Sequence, residues 1–296
     1  MRLLRYSLVA GSAAVLTGAL MLATGAAVTT AAGPARAVHA AAHQPSARFL
    51  AEARIALADY LRHDHQPAEL VHPARNGLRG TTKTSSYNWS GYADVSTTKG
   101  TFSKVSGQWT TPKVTCTAED TITSEWVGID GWTSSTVEQD GTLDWCFEGT
   151  PTYFTWYEMY PAGTIEVGTS LAPGDKITAT VSRSGTSYTL SLTDATHSAN
   201  SFTKTATCAA TTCVDTSAEW IAERPAFSIG IAPLADYASW KLTAATETAS
   251  GKSGTISSYA ANDEISSVDA TDSYDLSTPS ALTGGNSFTT TWHNSY

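Results

Sequence analysis

The chain has 296 residues, of which 41% are hydrophobic, so it can bury the core of one large or two modest domains. Its low charged fraction of 15% and its many Ser, Thr, Gly, Trp and Tyr residues favour short strands and turns over long helices. The net charge of −9 argues against nucleic-acid binding, which needs a basic surface, and suits work in acid, where protonated carboxylates repel one another less.

The charge is distributed unevenly along the chain. Residues 1–80 carry eight arginines against four acidic residues, whereas residues 81–296 carry ten lysines or arginines against 23 acidic residues. All nine tryptophans lie in the second part. The sequence therefore predicts a basic leader followed by an acidic globular domain.

Residues 1–37 have the pattern of a signal peptide. Two arginines precede an uncharged run over residues 6–35, Gly33-Pro34 would break a helix, and residues 35–37 form an A-x-A cleavage site. The run is also long enough for a transmembrane anchor, but its Gly, Ser, Thr and Ala content makes it weakly apolar. We therefore expect a secreted, extracellular protein with no stable membrane association.

Residues 38–83 are predicted to be a propeptide and linker. Apolar residues recur at helical spacing from Phe49 to Leu61, after Ser46 as a candidate N-cap. Residues 63–80 are then rich in proline, histidine and arginine. Because the charge of the leader opposes that of the following domain, we expect this propeptide to inhibit the domain. A disordered leader is the alternative.

From residue 84 onward, apolar residues follow the period of two that is typical of strands. Such alternation runs over residues 105–109, 154–160 and 218–223. Strands at this spacing, with no convincing helix between them, indicate an all-β domain over residues 84–296. The expected architecture is an antiparallel sandwich or barrel.

Two further alternating runs predict a hairpin. They cover residues 177–181 and 188–192 and flank the turn signal Ser184-Gly185.

The four cysteines predict two disulfides, since an even count in an exported chain is typical of them. Cys208 and Cys213 are close enough in sequence to close a small loop, which leaves Cys116 to pair with Cys146. Free buried thiols are the alternative. No C-x-x-C occurs, and only two histidines lie beyond residue 80, so we expect no metal.

Common hydrolytic motifs are missing from residues 81–296. There is no G-x-S-x-G, no H-E-x-x-H and no aspartic-protease triplet. Carboxylates and amides remain. Glu158 shares a strand face with Trp156 and Tyr160, where partial desolvation suits acid–base chemistry. Glu223 ends another strand pattern. A solvated glutamate, or one paired with arginine, is the alternative in each case.

Six short motifs follow one another along the domain. They are YNWSGY at 87–92, SGQWTTP at 106–112, WVGIDG at 126–131, VEQDG at 137–141, WYEMYP at 156–161 and AEWIAE at 218–223. In this order and spacing they resemble the eqolisins, the glutamic endopeptidases, over residues 85–296. The resemblance implies a β-sandwich of two large antiparallel sheets, of jelly-roll or concanavalin-like type.

The resemblance also implies a catalytic dyad of one glutamine and one glutamate. The motif match places them at Gln139 and Glu223. Glu223 would act as general base on a water, and Gln139 would stabilise the oxyanion. This sequence departs from the expected pattern in the charged neighbours Glu138 and Asp140, which point to the opposite face if the strand is regular. The cysteine positions also differ from those of fungal members.

The expected enzyme is a secreted acid endopeptidase that cuts proteins or peptides as a monomer, without a cofactor. Aromatic side chains would line its cleft, and three acids would support the dyad or contact substrate. The aromatic residues are Trp89, Trp126, Trp156 and Tyr160, and the acids are Asp130, Asp144 and Glu158. Ordinary core positions are the alternative for the aromatic residues.

Two other functions fit the same strand pattern. A jelly-roll glycoside hydrolase would use Glu158 and Glu223, with carboxyls about 5–9 Å apart, and would have no use for Gln139. A non-enzymatic carbohydrate-binding sandwich would stack sugars on its tryptophans.

Overall fold

The computed structural model describes residues 67–71, 80–208, 213–227 and 230–296, all within one compact unit that spans residues 45–296. The expected signal peptide and most of the expected propeptide lie outside the described residues. In the described part, strands dominate and the helical content is two single 3₁₀ turns, at Ser198–Asn200 and Ile256–Ser258. The prediction of an all-β domain is confirmed.

The described residues form eighteen strands. In chain order they are β1 (Gly80–Ser86), β2 (Trp89–Val95), β3 (Phe102–Thr110), β4 (Thr121–Ile129), β5 (Val137–Phe147), β6 (Thr150–Tyr160), β7 (Ala162–Gly168), β8 (Lys176–Ser184), β9 (Ser187–Asp194), β10 (Phe202–Thr207), β11 (Ser217–Glu223), β12 (Ala226–Phe227), β13 (Gly230–Ile231), β14 (Ser239–Ala249), β15 (Lys252–Gly254), β16 (Ala261–Val268), β17 (Asp275–Pro279) and β18 (Phe288–Trp292). The first strand begins at Gly80, four residues before the expected start of the domain at residue 84.

Sixteen of these strands share one continuous hydrogen-bonded sheet. Its order is β10-β9-β8-β3-β14-β18-β17-β16-β2-β11-β4-β5-β6-β7, with β15 beside β14 and β1 beside β16. All pairings are antiparallel except β1 with β16. The expectation of two large sheets therefore becomes two layers of one sheet, because β18, β17 and β16 carry the hydrogen bonding from one layer to the other.

Side chains from the two layers meet in a common core. Trp220 on β11 donates from Nε1 to the carbonyl of Ser106 on β3 at 2.9 Å. Trp109 on β3 donates from Nε1 to Thr142 on β5 at 3.2 Å. Strands β3, β8, β9 and β14 alternate between buried and more exposed residues, as the outer layer of a sandwich should.

The second layer is buried on both faces. Every residue of β2, β4 and β11 is buried, and so is all of β5 except Phe147. One face, here called the inner face, packs on β3, β8, β9 and β14. The other face gathers Trp89, Trp126 and Trp156 and is here called the tryptophan face.

Local predictions from the sequence also hold. Strands β8 and β9 pair from Ser184–Ser187 outward, and the turn between them contains Gly185 at φ +64°, which explains the glycine. Both predicted disulfides are present: Cys116 pairs with Cys146, and Cys208 with Cys213. Among the described residues, no helix is long and apolar enough to cross a membrane.

The core contains an excess of acids. Among the described residues, fourteen Asp and Glu residues are buried, and Arg224 is the one buried base. Burial raises the pKa of Glu125 to about 8 and that of Glu138 to about 9. Burial, and then the nearby Glu125, raise the pKa of Asp144. Because an unpaired charge is costly to bury, these carboxyls keep their protons in the folded state.

We expect stability to fall as the pH rises from about 4 to about 8. The unfolded chain loses these protons near its ordinary carboxyl pKa of about 4.3, whereas the folded chain keeps them through the raised pKa values of Glu125 and Glu138. Between these limits the folded state binds more protons, so each step up in pH weakens it. The melting temperature, followed by tryptophan fluorescence at several pH values, measures the effect.

Glu125→Gln removes one of these carboxyls and should flatten the pH dependence. Glu119→Gln, at an exposed position, is its control and should leave the slope unchanged. Equal slopes in Glu125→Gln and the unaltered chain would contradict the prediction.

Candidate active site

A row of directly paired residues crosses the tryptophan face. Gln139 on β5 lies opposite Gly128 on β4 and opposite Glu158 on β6, and Gly128 in turn lies opposite Glu219 on β11. Directly paired residues of antiparallel strands project to the same face. The row therefore holds a buried amide among carboxyls, with a glycine between Gln139 and Glu219.

Gln139 is fixed by Glu158. Its Nε2 donates to Oε2 of Glu158 at 2.6 Å, and both residues are almost completely buried. The amide has a second N–H, and its Oε1 has no hydrogen-bond donor among the described residues. The contact with Glu158 thus sets the direction of the amide and leaves one donor and one acceptor for other groups.

Trp126 connects this row to Glu223. Its Nε1 donates to Oε2 of Glu223 at 2.8 Å. The other end of the indole lies beside Gly128, since a Cβ built there would be 2.8 Å from Cζ3 of Trp126 and 3.3 Å from Cβ of Gln139. One ring therefore extends from the carboxylate of Glu223 to the neighbourhood of Gln139, and Gly128 has no side chain because the ring needs that space.

Aromatic residues surround these groups. Trp89 meets Trp126 edge-on, with ring centroids 4.8 Å apart, and stacks on Trp132 at 6.1 Å. Trp132 donates from Nε1 to Asp263 at 2.6 Å, which fixes it from the opposite side. Trp156 and Tyr160 pack in the same cluster. The structure thus brings all four predicted aromatic residues to the face that carries Gln139, Glu158 and Glu223.

The charged neighbours of Gln139 point away from it. The pairing of β5 is regular from Val137 to Phe147, so Glu138 and Asp140 project to the inner face. Burial, followed by the charges of Asp130 and Asp215, raises the pKa of Glu138. These two carboxyls therefore belong to the core between the layers.

The structure does not bring Asp130 and Asp144 to this group. Asp144 is on the inner face, beside Glu125. Asp130 has φ +69° and accepts the backbone N–H groups of three residues, Val214, Asp215 and Thr216, at 2.8–2.9 Å. Asp130 thus ties the loop before β11 to the end of β4.

Among the described residues, two groups of side chains have the spacing of metal ligands. Glu138 lies near the sulfurs of Cys208 and Cys213, but these form a disulfide and offer no thiolate. Asp175, Asp194 and His197 lie within 4.8 Å of one another. Nδ1 of His197 is hydrogen-bonded to Asp175, and Asp194 accepts the N–H groups of Thr196 and His197, so these atoms stabilise the loop after β9.

Several residues of the site were not predicted from the sequence. Gly128 lies within the WVGIDG motif and Trp132 directly follows it, but the sequence predicted only Trp126 and Asp130 of this motif as site residues. Arg224 directly follows Glu223 and is one of only two arginines beyond residue 80. That rarity was the one available signal for Arg224.

A model of the peptidase A4 family matches residues 87–292. The chain belongs to the peptidase A4 family. It is accordingly an endopeptidase of the glutamic type, which confirms the resemblance to the eqolisins. The match decides against the glycoside hydrolase and the carbohydrate-binding alternatives.

Relatives of this A4 peptidase have the same fold. Aspergillopepsin-2 of Aspergillus niger is 29% identical over 203 residues, which cover 59% of this chain and 69% of that protein. Scytalido-glutamic peptidase, solved with a peptide-based transition state analog, superposes with a TM-score of 0.59 at 23% identity, over 70% of this chain and 98% of that one. Aspergilloglutamic peptidase of Aspergillus niger superposes with a TM-score of 0.50 at 27% identity, over 58% of this chain and 99% of that one.

We expect Trp126→Phe to lower kcat/KM of this A4 peptidase by about 10- to 100-fold. The variant keeps an aromatic ring but removes the donor to Glu223, and a hydrogen bond to a charged group contributes about 1.5–3 kcal/mol. Initial rates of peptide hydrolysis measure the effect. Trp292→Phe, on β18 and outside the aromatic cluster, is the control. Equal rates for the two variants would show that the contact does not support the site.

Proposed function

We propose that Gln139 and Glu223 are the catalytic dyad of a secreted endopeptidase that works in acid. The observation that carries the proposal is their shared position on the tryptophan face, where the indole of Trp126 bonds Glu223 and reaches the row of Gln139. The family match adds that the reaction is peptide-bond hydrolysis.

The proposed reaction uses an activated water and no covalent enzyme intermediate. Ionised Glu223 removes a proton from the water as its oxygen attacks the scissile carbonyl carbon. The second N–H of Gln139 stabilises the oxyanion, and its Oε1 accepts from the attacking water. Glu223 then returns the proton to the amide nitrogen as the C–N bond breaks, so that an amine and a carboxylic acid leave.

Glu158 acts here as a positioning residue. Its hydrogen bond holds the amide of Gln139 so that the free N–H faces the reacting carbonyl. An amide in this place cannot share a proton with Glu223, as a second carboxyl would.

Two features support secretion and an acidic medium. The pattern of residues 1–37 is that of a signal peptide, and both disulfides suit an oxidising compartment. The many buried carboxyls favour the folded state at low pH, because folding requires their protons.

Glu223→Gln should abolish peptidase activity and leave the fold intact, since the two side chains are nearly isosteric. Loss of general-base help costs about 10²–10⁴-fold in turnover, and Gln139→Ala, which removes an oxyanion donor, about 10²–10³-fold. Digestion of a protein substrate at about pH 3–5 is the measurement, with melting temperature as the check on folding.

Glu219→Gln, on the same strand and face as Glu223, is the control and should be milder. Substantial turnover by a folded Glu223→Gln protein would remove Glu223 from the dyad. Near-normal turnover by Gln139→Ala would make that glutamine structural.

The propeptide is proposed to inhibit the enzyme until it meets acid. Residues 38–80 carry five arginines and five histidines, all of which lie outside the described residues. They are Arg48, Arg54, Arg62, Arg75 and Arg79, with His39, His43, His63, His65 and His72. Near neutral pH the arginines would attract ionised carboxylates of the domain. Below about pH 5 many exposed carboxylates take up protons, and the attraction weakens.

The isolated 38–80 peptide, added to matured enzyme, should therefore inhibit more strongly at about pH 6 than at about pH 4, and less in high salt because surface attraction is screened. Purified Glu223→Gln proprotein should fail to mature when incubated alone in acid. Either self-processing of that variant or a peptide that never inhibits would overturn the mechanism.

A further inference from the structure

A short segment ahead of the domain pairs with it through an isolated β-bridge and neighbouring backbone hydrogen bonds. Residues 67–71 run antiparallel to residues 85–87, with a bridge between Leu70 and Ser86. The N–H of Tyr87 donates to the carbonyl of Glu69 at 2.8 Å, and the N–H of Val71 donates to the carbonyl of Ser85 at 3.2 Å. The segment therefore follows the geometry by which extended peptides add to a sheet edge.

Side-chain groups complete this backbone pairing. Oδ1 of Asn88 accepts the N–H of Glu69 at 2.7 Å, and Nδ2 of Asn88 donates to the carbonyl of Pro67 at 3.2 Å. The N–H of Ala68 donates to the carbonyl of Gly131 at 3.1 Å. None of these contacts involves a side chain of the segment, so any extended peptide can make them.

The side chains of the segment alternate between two surroundings. Ala68 and Leu70 pack against the aromatic cluster of the tryptophan face. Glu69 points the other way and lines a pocket of about 410 Å³ together with Tyr87, Arg224, Ile231 and Ala270. The segment thus lies beside the proposed dyad, and one acidic side chain enters a pocket next to Glu223.

Arg224 is the distinctive group of this pocket. It is the one buried base among the described residues, and its backbone N–H donates to the carbonyl of Asn88 at 2.7 Å. Nε donates to the carbonyl of Ala232 at 2.6 Å, which fixes the guanidinium, while its terminal nitrogens have no hydrogen-bond acceptor in the described part of the chain. A fixed guanidinium with free donors is suited to bind a carboxylate.

The charges in the pocket agree with this. Burial lowers the pKa of Arg224, and the negative charges at Glu69, Tyr296 and Asp269 act against that change. Burial raises the pKa of Glu69, Arg224 opposes the rise, and Glu223 adds to it. Arg224 and Glu69 therefore stabilise each other's charged form.

We propose that residues 67–71 occupy a substrate-binding groove in the manner of a bound peptide, and that Arg224 selects an acidic side chain at the position held by Glu69. The inference rests on the proposed peptidase function and specifies it. Backbone groups of Tyr87 and Gly131, with the amide of Asn88, would hold any extended substrate. Arg224 would be the residue that distinguishes one sequence from another.

A synthetic peptide with the sequence of residues 65–73, HQPAELVHP, tests the groove. Added to enzyme matured from the full chain, it should inhibit protein digestion competitively. Replacing its glutamate by lysine should weaken inhibition about 10- to 100-fold, because lysine places a like charge opposite Arg224. Replacement by glutamine should have an intermediate effect, because it only removes the negative charge. This peptide series uses one unaltered enzyme, so the inhibition constants do not depend on whether a variant folds.

Arg224→Gln should bring the inhibition constants of the three peptides together, and Arg224→Lys should keep part of the preference for glutamate. Lys252→Gln, an exposed change that also removes one positive charge, is the matched control and should retain the full preference. Melting temperatures of all three variants report whether they fold. A folded Arg224→Gln enzyme that keeps the full preference would overturn the role of Arg224.

The outcomes separate this inference from the proposed function. Enzyme that digests protein but binds the three peptides equally, or none of them, leaves the peptidase intact and removes the groove assignment. Enzyme that digests nothing in acid removes the proposed function instead.

Hydrogen exchange then tests the docking without activity. In the full-length Glu223→Gln chain, the amide of Tyr87 should be protected, because it donates to Glu69. Glu69→Lys should speed its exchange by about 10-fold or more, as should Arg224→Gln, while Glu69→Gln should have a smaller effect. An amide of Tyr87 that exchanges equally in all four chains would overturn the inference.

Discussion

Burial of one layer on both faces is the constraint on which the rest of this structure depends. Strands β2, β11, β4 and β5 have no face in contact with solvent, so every polar group on them needs a partner or a proton. The tryptophan face meets part of this demand with pairs such as Gln139–Glu158 and Trp126–Glu223. The same contacts that satisfy the buried groups also fix the direction of the amide and carboxylate proposed as the dyad.

The inner face meets the demand differently. Its carboxyls include Asp140 and Asp144, and neither oxygen of Asp144 has a hydrogen-bond donor in the described part of the chain. Burial raises the pKa of both, so they remain protonated where a solvated carboxyl would ionise. The fold and the proposed chemistry therefore favour the same medium. In acid the inner carboxyls stay neutral, and the proposed dyad uses no nucleophilic side chain.

Features that depend only on the alternation of side chains along a strand could be predicted from the sequence. The hairpin of β8 and β9, the two faces of β11 and the opposite direction of Glu138 and Gln139 all follow from the period of two. The same parity, continued along β5 from Gln139, predicts that Asp144 lies on the inner face, away from Gln139. Asp130 was different, because a left-handed residue ends β4 there and only the tertiary structure shows the loop that it binds.

The continuous sheet was also hidden, since β16, β17 and β18 are polar and irregular in pattern. The pocket brings together Glu69 and Arg224, which are 155 positions apart in the sequence, and no local signal connects them.

The tether between the docked segment and the domain determines how tightly the segment must bind. Residues 67–71 are connected to β1 by only eight residues, so they meet their groove at an effective concentration that short tethers place near the millimolar range. Five residues of modest intrinsic affinity can fill the groove under that condition. One cut between residues 71 and 80 makes the association bimolecular, and dilution then empties the proposed groove. Strand β1 stays behind, held by its seven paired positions with β16. After the cut the released segment does not return at low concentration, because the tether, and not a high affinity, had held it in the groove.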